Sequence, residues 1–173
     1  MARKPAVMYR RITGQAYTRK KYMGGIPNPR INQYDMGNLR DEFPVMVSLK
    51  VTDRVQVRHN SLEACRIAAN RVMNKRVGVA NYHLKVRPYP HNILRENKLA
   101  TGAGADRVSS GMRNSFGKNV GMAARMERNQ AVLTIGCHPS GFIQAKDALW
   151  RASMKIGSTC YIEVEKGKDL VTF

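Results

Sequence analysis

A strand pattern, a helix pattern and two further strand patterns follow one another from Pro44 to Arg95, and this order constrains the fold most. Residues 44–57 alternate apolar and polar side chains and are rich in β-branched types, which predicts one long strand with a break near its middle. Asn60 can then cap a helix, with Glu63 three residues later completing a capping box. Strand patterns at 82–87 and 91–95 complete this first unit.

A second unit repeats the order of strand, helix and strand near the end of the chain. A strand is predicted at 131–137, a helix beginning at Pro139 and ending before Gly157, and a returning strand at 159–164. Loops of such unequal length do not suit a doubly wound sheet. We therefore predict an α+β fold over residues 41–173, a sandwich of a mainly antiparallel sheet with two helices on one face.

Residues 98–121 join the two units and follow neither a helical nor a strand period. Five glycines in this stretch alternate with Arg107, Arg113 and Lys118. Glycine lets a backbone approach a phosphate closely, and arginine can hold a phosphate with two hydrogen bonds. The stretch therefore predicts a long loop that an anionic surface orders, and a plain mobile surface loop is the alternative.

Positive charge is concentrated in the first three-quarters of the chain. The net charge is +18, and residues 130–173 contribute only five basic residues against four acidic ones. Residues 1–40, the N-terminal extension, hold nine basic residues, one acid and interleaved tyrosines, with too little apolar mass to fold alone. Such an excess favours a polyanionic partner, usually nucleic acid, over a disordered basic tail. The candidate contacts in the extension are Arg3, Lys4, Arg10, Arg11, Arg19, Lys20, Lys21 and Arg30.

Signals for other functions are weak. Gly102 and Gly104 resemble half of a dinucleotide fingerprint, but Arg107 stands where the third glycine is required, and the glycine spacing from Gly111 to Lys118 does not fit a P-loop. No CxxC pair, acid–base pair or apolar run of about 18 residues exists, so we expect no enzyme, cofactor, metal or membrane span. The odd cysteine count indicates a reducing, cytoplasmic compartment. An RNA-modifying enzyme and a basic membrane-surface protein are the disfavoured alternatives.

The long loop resembles the signature of a known family. The run ATGAGADRVSSGMRNSFGK is similar to that of the large-subunit ribosomal protein family L10e of archaea and eukaryotes, the counterpart of bacterial L16. The loop matches the family at Gly102, Gly104, Asp106, Arg107, Gly111, Met112, Arg113, Phe116, Gly117 and Lys118. The resemblance extends over the chain through Pro5-Ala6, Met8–Arg10, Ala16–Arg19, Gly25–Pro27, Asp41–Pro44, Ser61–Ala64, Pro90-His91 and Leu94–Lys98. The opening and the short C-terminus look archaeal.

The resemblance implies a structural protein of the large ribosomal subunit that supports translation and subunit assembly. It implies contacts with large-subunit rRNA near the 5S rRNA, with tRNA in the aminoacyl site and with neighbouring ribosomal proteins. We expect no membrane partner and no homo-oligomer. It further implies that the extension contacts rRNA and that the long loop points toward the peptidyl transferase centre, where RNA is the catalyst.

Overall fold

The computed structural model of the chain describes residues 4–10, 12, 14–97, 102–103 and 117–171. The strands are β1 (Asp35–Gly37), β2 (Val45–Val51), β3 (Val55–Arg58), β4 (Tyr82–Val86), β5 (Asn92–Glu96), β6 (Lys118–Met126), β7 (Ala131–Cys137) and β8 (Cys160–Lys166). The helices are α1 (His59–Arg76) and α2 (Phe142–Ser153). All strand pairs of the described residues are antiparallel, which confirms the predicted α+β class.

Five strands form the larger sheet, in the order β1-β4-β7-β2-β8. The central strand β7 has the bounds that the sequence predicts, and all its residues after Ala131 are buried. Its one buried hydroxyl, on Thr134, lies 2.9 Å from the hydroxyl of Ser48 in β2, so neither polar group lacks a partner. Branched and aliphatic side chains from both strands fill the core beneath the helices.

Three strands form a separate, smaller sheet in the order β3-β6-β5, where the sequence predicted a single sheet. The predicted strand at 44–57 is two strands, β2 and β3, which belong to different sheets. The break in its middle therefore turns the chain from one sheet to the other. Strand β6 was not predicted, and it begins at Lys118, inside the stretch predicted as a loop that ends at Gly121.

The glycine at position 121 explains why the sequence pattern did not predict β6. A Cβ atom on Gly121 would lie 3.1 Å from Nε2 of His59, the first residue of α1, so a larger residue at this crossing would require the His59 ring to shift by a few tenths of an ångström. The same glycine made the pattern look like a loop. The predicted end of the long loop at Gly121 is wrong, because Lys118 to Gly121 belong to β6.

The two helices pack against each other as well as against the sheets. The Cys65 thiol of α1 donates to the carbonyl oxygen of Ala152 in α2, with sulfur and oxygen 3.2 Å apart. The α2 helix contacts β2, β7 and β8, and α1 contacts β3, β4 and β6. The predicted capping box is wrong, because α1 follows β3 directly and no side chain caps it. Glu63 instead forms an ion pair with Arg66 at 2.6 Å.

Candidate nucleic-acid interface

A chain of buried amides fixes the extension to the smaller sheet. Gln56 in β3 and Asn92 in β5 are buried, and Asn92 Nδ2 donates to Gln56 Oε1 at 2.5 Å. Gln56 Nε2 donates in turn to the carbonyl oxygen of Met8 at 3.0 Å, and the backbone N–H of Tyr17 donates to Asn92 Oδ1 at 2.8 Å. Two edge strands therefore hold the extension at two points through the buried side chains of Gln56 and Asn92.

Further hydrogen bonds continue this attachment along the extension. The guanidinium of Arg125, in β6, donates to the carbonyl oxygens of Gly14 at 2.9 Å and Gln15 at 3.1 Å. Asn119, also in β6, donates to the carbonyl oxygen of Gly24 at 2.7 Å. The backbone of the extension thus lies across the smaller sheet, and its exposed side chains face outward in a fixed arrangement.

A second attachment joins the extension to the start of α1. The backbone N–H of Arg30 donates to Nδ1 of His59 at 3.0 Å. Burial lowers the pKa of His59, and the positive charges of Arg58 and Arg30 lower it further. His59 is therefore held in its neutral form, in which Nδ1 can accept this hydrogen bond.

A cleft of about 690 Å³, here called the loop-root cleft, opens between the extension and the sheet edge. It is lined by Tyr17, Arg19, Tyr22, Met23, Gly24, Gly25, Arg95, Gly117, Lys118 and Asn119. Arg95 is in β5 and Lys118 is the first residue of β6, so the cleft lies beside both ends of the long loop. The geometry therefore joins the basic extension and the two ends of the signature loop into one surface.

Aromatic rings and cations alternate on the wall of the loop-root cleft. The Arg95 guanidinium carbon lies 3.9 Å from the ring centroid of Tyr17 and covers one face of that ring. Tyr22 is 76% exposed, and the Lys21 ammonium lies 5.9 Å from its ring centroid. Exposed rings can stack on unpaired bases while neighbouring cations bind the phosphates between those bases. This arrangement suits single-stranded or looped RNA.

Gly117 shapes the point where the long loop returns to the sheet. Its φ is +78°, and a Cβ atom there would lie 2.8 Å from the backbone carbonyl carbon of Glu96. Only glycine therefore allows the two ends of the loop to come this close. The Glu96 carboxylate in turn forms an ion pair with Lys4 of the extension.

The structure places only part of the predicted site. Gly102, with φ of +122°, meets no other atom at its Cβ position, and Lys118 is exposed. The predicted loop residues that lie outside the described part of the chain are Gly104, Asp106, Arg107, Gly111, Met112, Arg113 and Phe116. Arg3 and Arg11 also lie outside it. The roles predicted for all of these residues stay predictions.

The described basic residues of the extension divide into two groups. Lys4 is paired and mostly covered, and Arg10 donates to the carbonyl oxygen of Gly157 at 3.2 Å. The exposed cations that remain are Arg19, Lys20, Lys21, Arg30 and Arg40. Sequence reasoning missed Arg95 and Arg125 as parts of the site, because their positions depend on how the extension lies on the sheet.

Comparison with known proteins agrees with the resemblance carried by the long loop. The family model of ribosomal protein L16p/L10e matches residues 12–163. The chain belongs to this family. It is 54% identical over 171 residues to the large ribosomal subunit protein uL16 of Methanocella arvoryzae, with 99% of each chain covered. It is 51% identical over 175 residues to the protein of the same name from Natronomonas pharaonis, again with 99% of each chain covered.

Membership of the L16p/L10e family confirms the family predicted from the signature loop. The match runs from residue 12 in the extension to residue 163 in β8, and it includes both helices and the whole smaller sheet. Among the described residues, no helix combines the length and apolarity that crossing a membrane requires.

Replacing Tyr22 with Ala is expected to weaken binding to large-subunit rRNA by about 1–3 kcal/mol, because a stacked base loses its aromatic partner. The free energy of unfolding should change little, since the ring is 76% exposed. Fluorescence anisotropy with labelled rRNA fragments measures the first quantity and urea unfolding the second.

Tyr22→Phe is the matched control for this test, because it keeps the ring and removes only the hydroxyl. It should bind within about twofold of the unchanged protein if stacking is the interaction. Equal affinity of Tyr22→Ala and the unchanged protein would show that the ring does not contact RNA.

Proposed function

We propose that this chain binds large-subunit rRNA through the extension, the loop-root cleft and the long loop. The bound rRNA lies near the 5S rRNA and the aminoacyl-tRNA site, and residues 98–117 reach toward the peptidyl transferase centre. The family and its relatives, which are large ribosomal subunit proteins, make the chain a structural constituent of that subunit and not an enzyme. Its partners are accordingly rRNA and neighbouring ribosomal proteins.

One observation supports this proposal most strongly, namely that the loop-root cleft combines exposed rings, cations and both ends of the signature loop. Tyr22 and Arg19 come from the extension, and Arg95 and Lys118 come from the sheet. A folded polyanion in this cleft would neutralise the exposed charges of Arg19 and Lys118. The same contact would fix the direction in which the long loop leaves the sheet. We also propose that residues 41–173 form one domain and that residues 1–40 are an extension of it that contacts rRNA.

The cysteines of the chain allow a direct test of where the loop lies. Burial raises the pKa of the Cys65 thiol to about 12 and that of Cys137 to about 11, so neither reacts readily with a thiol reagent. Cys160, which is partly exposed, is replaced with Ser. A single cysteine is then introduced as Ser110→Cys in the loop or, as a control, as Ser140→Cys at an exposed position two residues before α2.

An iron–EDTA group on each introduced cysteine cleaves nearby rRNA in reconstituted large subunits. We expect cleavage from position 110 in the rRNA of the peptidyl transferase centre, and cleavage at other sites from position 140. The position of each cut is read by primer extension. If position 110 cuts the same rRNA as position 140, or none near that centre, the proposed direction of the loop is wrong.

A further inference from the structure

A groove of about 800 Å³ runs between the outer faces of α1 and α2. Ala64 and Ala68 leave room in its floor because their side chains are small. Ile67 of α1, Trp150 of α2 and Met154, just after α2, are 51%, 55% and 60% exposed. Three large apolar side chains at one groove form a patch of the kind that marks an interaction site.

Cations surround this apolar groove. Arg71, Lys75 and Lys155 line it together with Arg76 and Arg151. The last two share a single acid outside the groove, Asp147, at 2.7 Å and 3.0 Å. The groove therefore offers an apolar centre inside a positive rim.

The chemistry of the groove distinguishes a protein partner from RNA. Phosphates would match the cations, and Trp150 offers one ring on which a base could stack. The rest of the apolar centre, Ile67, Met154 and the two alanines, has no ring for a second base. Covering aliphatic side chains stabilises a complex only when the partner brings apolar groups of its own. An amphipathic helix with a leucine ridge and flanking Asp or Glu side chains supplies both the apolar groups and the negative charge.

We infer that the α1–α2 groove binds an acidic amphipathic helix of another protein. The helix lies along the groove with its apolar ridge on Ile67, Trp150 and Met154. Its flanking carboxylates pair with the rim, Arg71 and Lys75 on α1 and Lys155 after α2. This surface is built from the two helices and shares no lining residue with the loop-root cleft.

The sole tryptophan of the chain, Trp150, lies in the groove and reports binding directly. The probe is a synthetic 18-residue helix with leucines at the spacing i, i+3, i+4 and i+7, glutamates beside them and no aromatic residue. Titration into the full chain should shift and saturate the fluorescence of Trp150. A peptide with lysines in place of the glutamates should bind at least about tenfold more weakly.

Two exposed isoleucines provide a matched pair of variants. Ile67→Glu should weaken binding of the acidic peptide about tenfold or more, because it places a negative charge in the apolar centre, where it repels the glutamates of the peptide. Ile143→Glu should leave the affinity within about twofold, since Ile143 is 75% exposed on α2 but does not line the groove. Neither change should alter binding to large-subunit rRNA, so this test does not depend on the proposed function.

Three results would overturn the inference. The first is the absence of saturable binding, and the second is equal binding of the acidic and basic peptides. The third is displacement of the acidic peptide by oligouridylate in 0.3 M salt, which would identify the groove as an RNA site.

Discussion

Raising the salt concentration from 50 to 200 mM is expected to weaken binding of this chain to large-subunit rRNA about 10⁴-fold. If about eight phosphates are neutralised, the logarithm of the binding constant should fall with the logarithm of salt at a slope of about −6 to −7. Anisotropy titrations at several salt concentrations measure this slope. A slope near zero would contradict binding that is led by phosphate contacts.

The charges of the described residues support this expectation. Acids outside the extension are largely engaged in ion pairs, such as Lys50 with Glu163 at 3.0 Å and with Glu165 at 3.3 Å. In the part of the extension that the structure describes, Lys4 alone is paired with an acid. Arg19 lines the loop-root cleft, and Lys20 and Lys21 follow it in the chain. All three side chains are exposed, so RNA bound at this cleft can release their counterions.

Removing individual cations should make the salt slope less steep in proportion to the number of phosphates that those cations contact. Arg107→Ala together with Arg113→Ala should make the slope less steep by about 1.5 if each side chain contacts one phosphate. The matched control is Arg54→Ala with Arg128→Ala, whose side chains lie beside Glu127 at 3.0 Å and Asp53 at 3.8 Å. The control should leave the slope unchanged, and an equal effect of the two pairs would mean that the loop arginines contribute only net charge.

The sequence predicted the elements whose pattern depends on burial alone. Strand β7 and the buried stripe of α1, with Leu62, Cys65 and Ala69 at 0% exposure, are confirmed because a buried face dictates its own apolar period. The capping box failed since β3 runs directly into α1, which leaves Asn60 inside the helix. Local sequence propensity could not show that Arg58, the last residue of β3, occupies the N-cap position of α1.

The sequence predicted the positive charge of the candidate site but not which of its side chains are exposed. Tyr22 and Tyr34 are both extension tyrosines, yet Tyr22 is exposed while Tyr34 stacks on Tyr89 with ring centroids 5.4 Å apart. Nothing local to either residue separates these roles. The position of Tyr22 is set by where the extension lies on β5 and β6, through Asn92 and Arg125, whereas the carbonyl oxygen of Tyr34 accepts a hydrogen bond from the backbone N–H of Val86 in β4 at 2.7 Å.

Replacing Asn92 with Leu is expected to lower the free energy of unfolding by about 2–4 kcal/mol. The substitution leaves the buried Gln56 oxygen and the Tyr17 backbone N–H without their partners, and each unsatisfied group costs about 1–3 kcal/mol. Urea unfolding measures the change. Asn119→Ala is the matched control, because it removes one exposed hydrogen bond to Gly24 and should cost less than about 1 kcal/mol.

The same substitution should weaken rRNA binding about tenfold, because an extension released from the sheet must be ordered again when RNA binds. The double variant Gln56→Leu with Asn92→Leu should be more stable than the sum of the single changes predicts, since the two amides interact directly. Additive costs, or an Asn92→Leu protein as stable as the unchanged chain, would show that the buried amides do not hold the extension. If they do hold it, affinity for RNA and stability of the fold depend on one contact, and the loop-root cleft exists only while the smaller sheet keeps the extension in place.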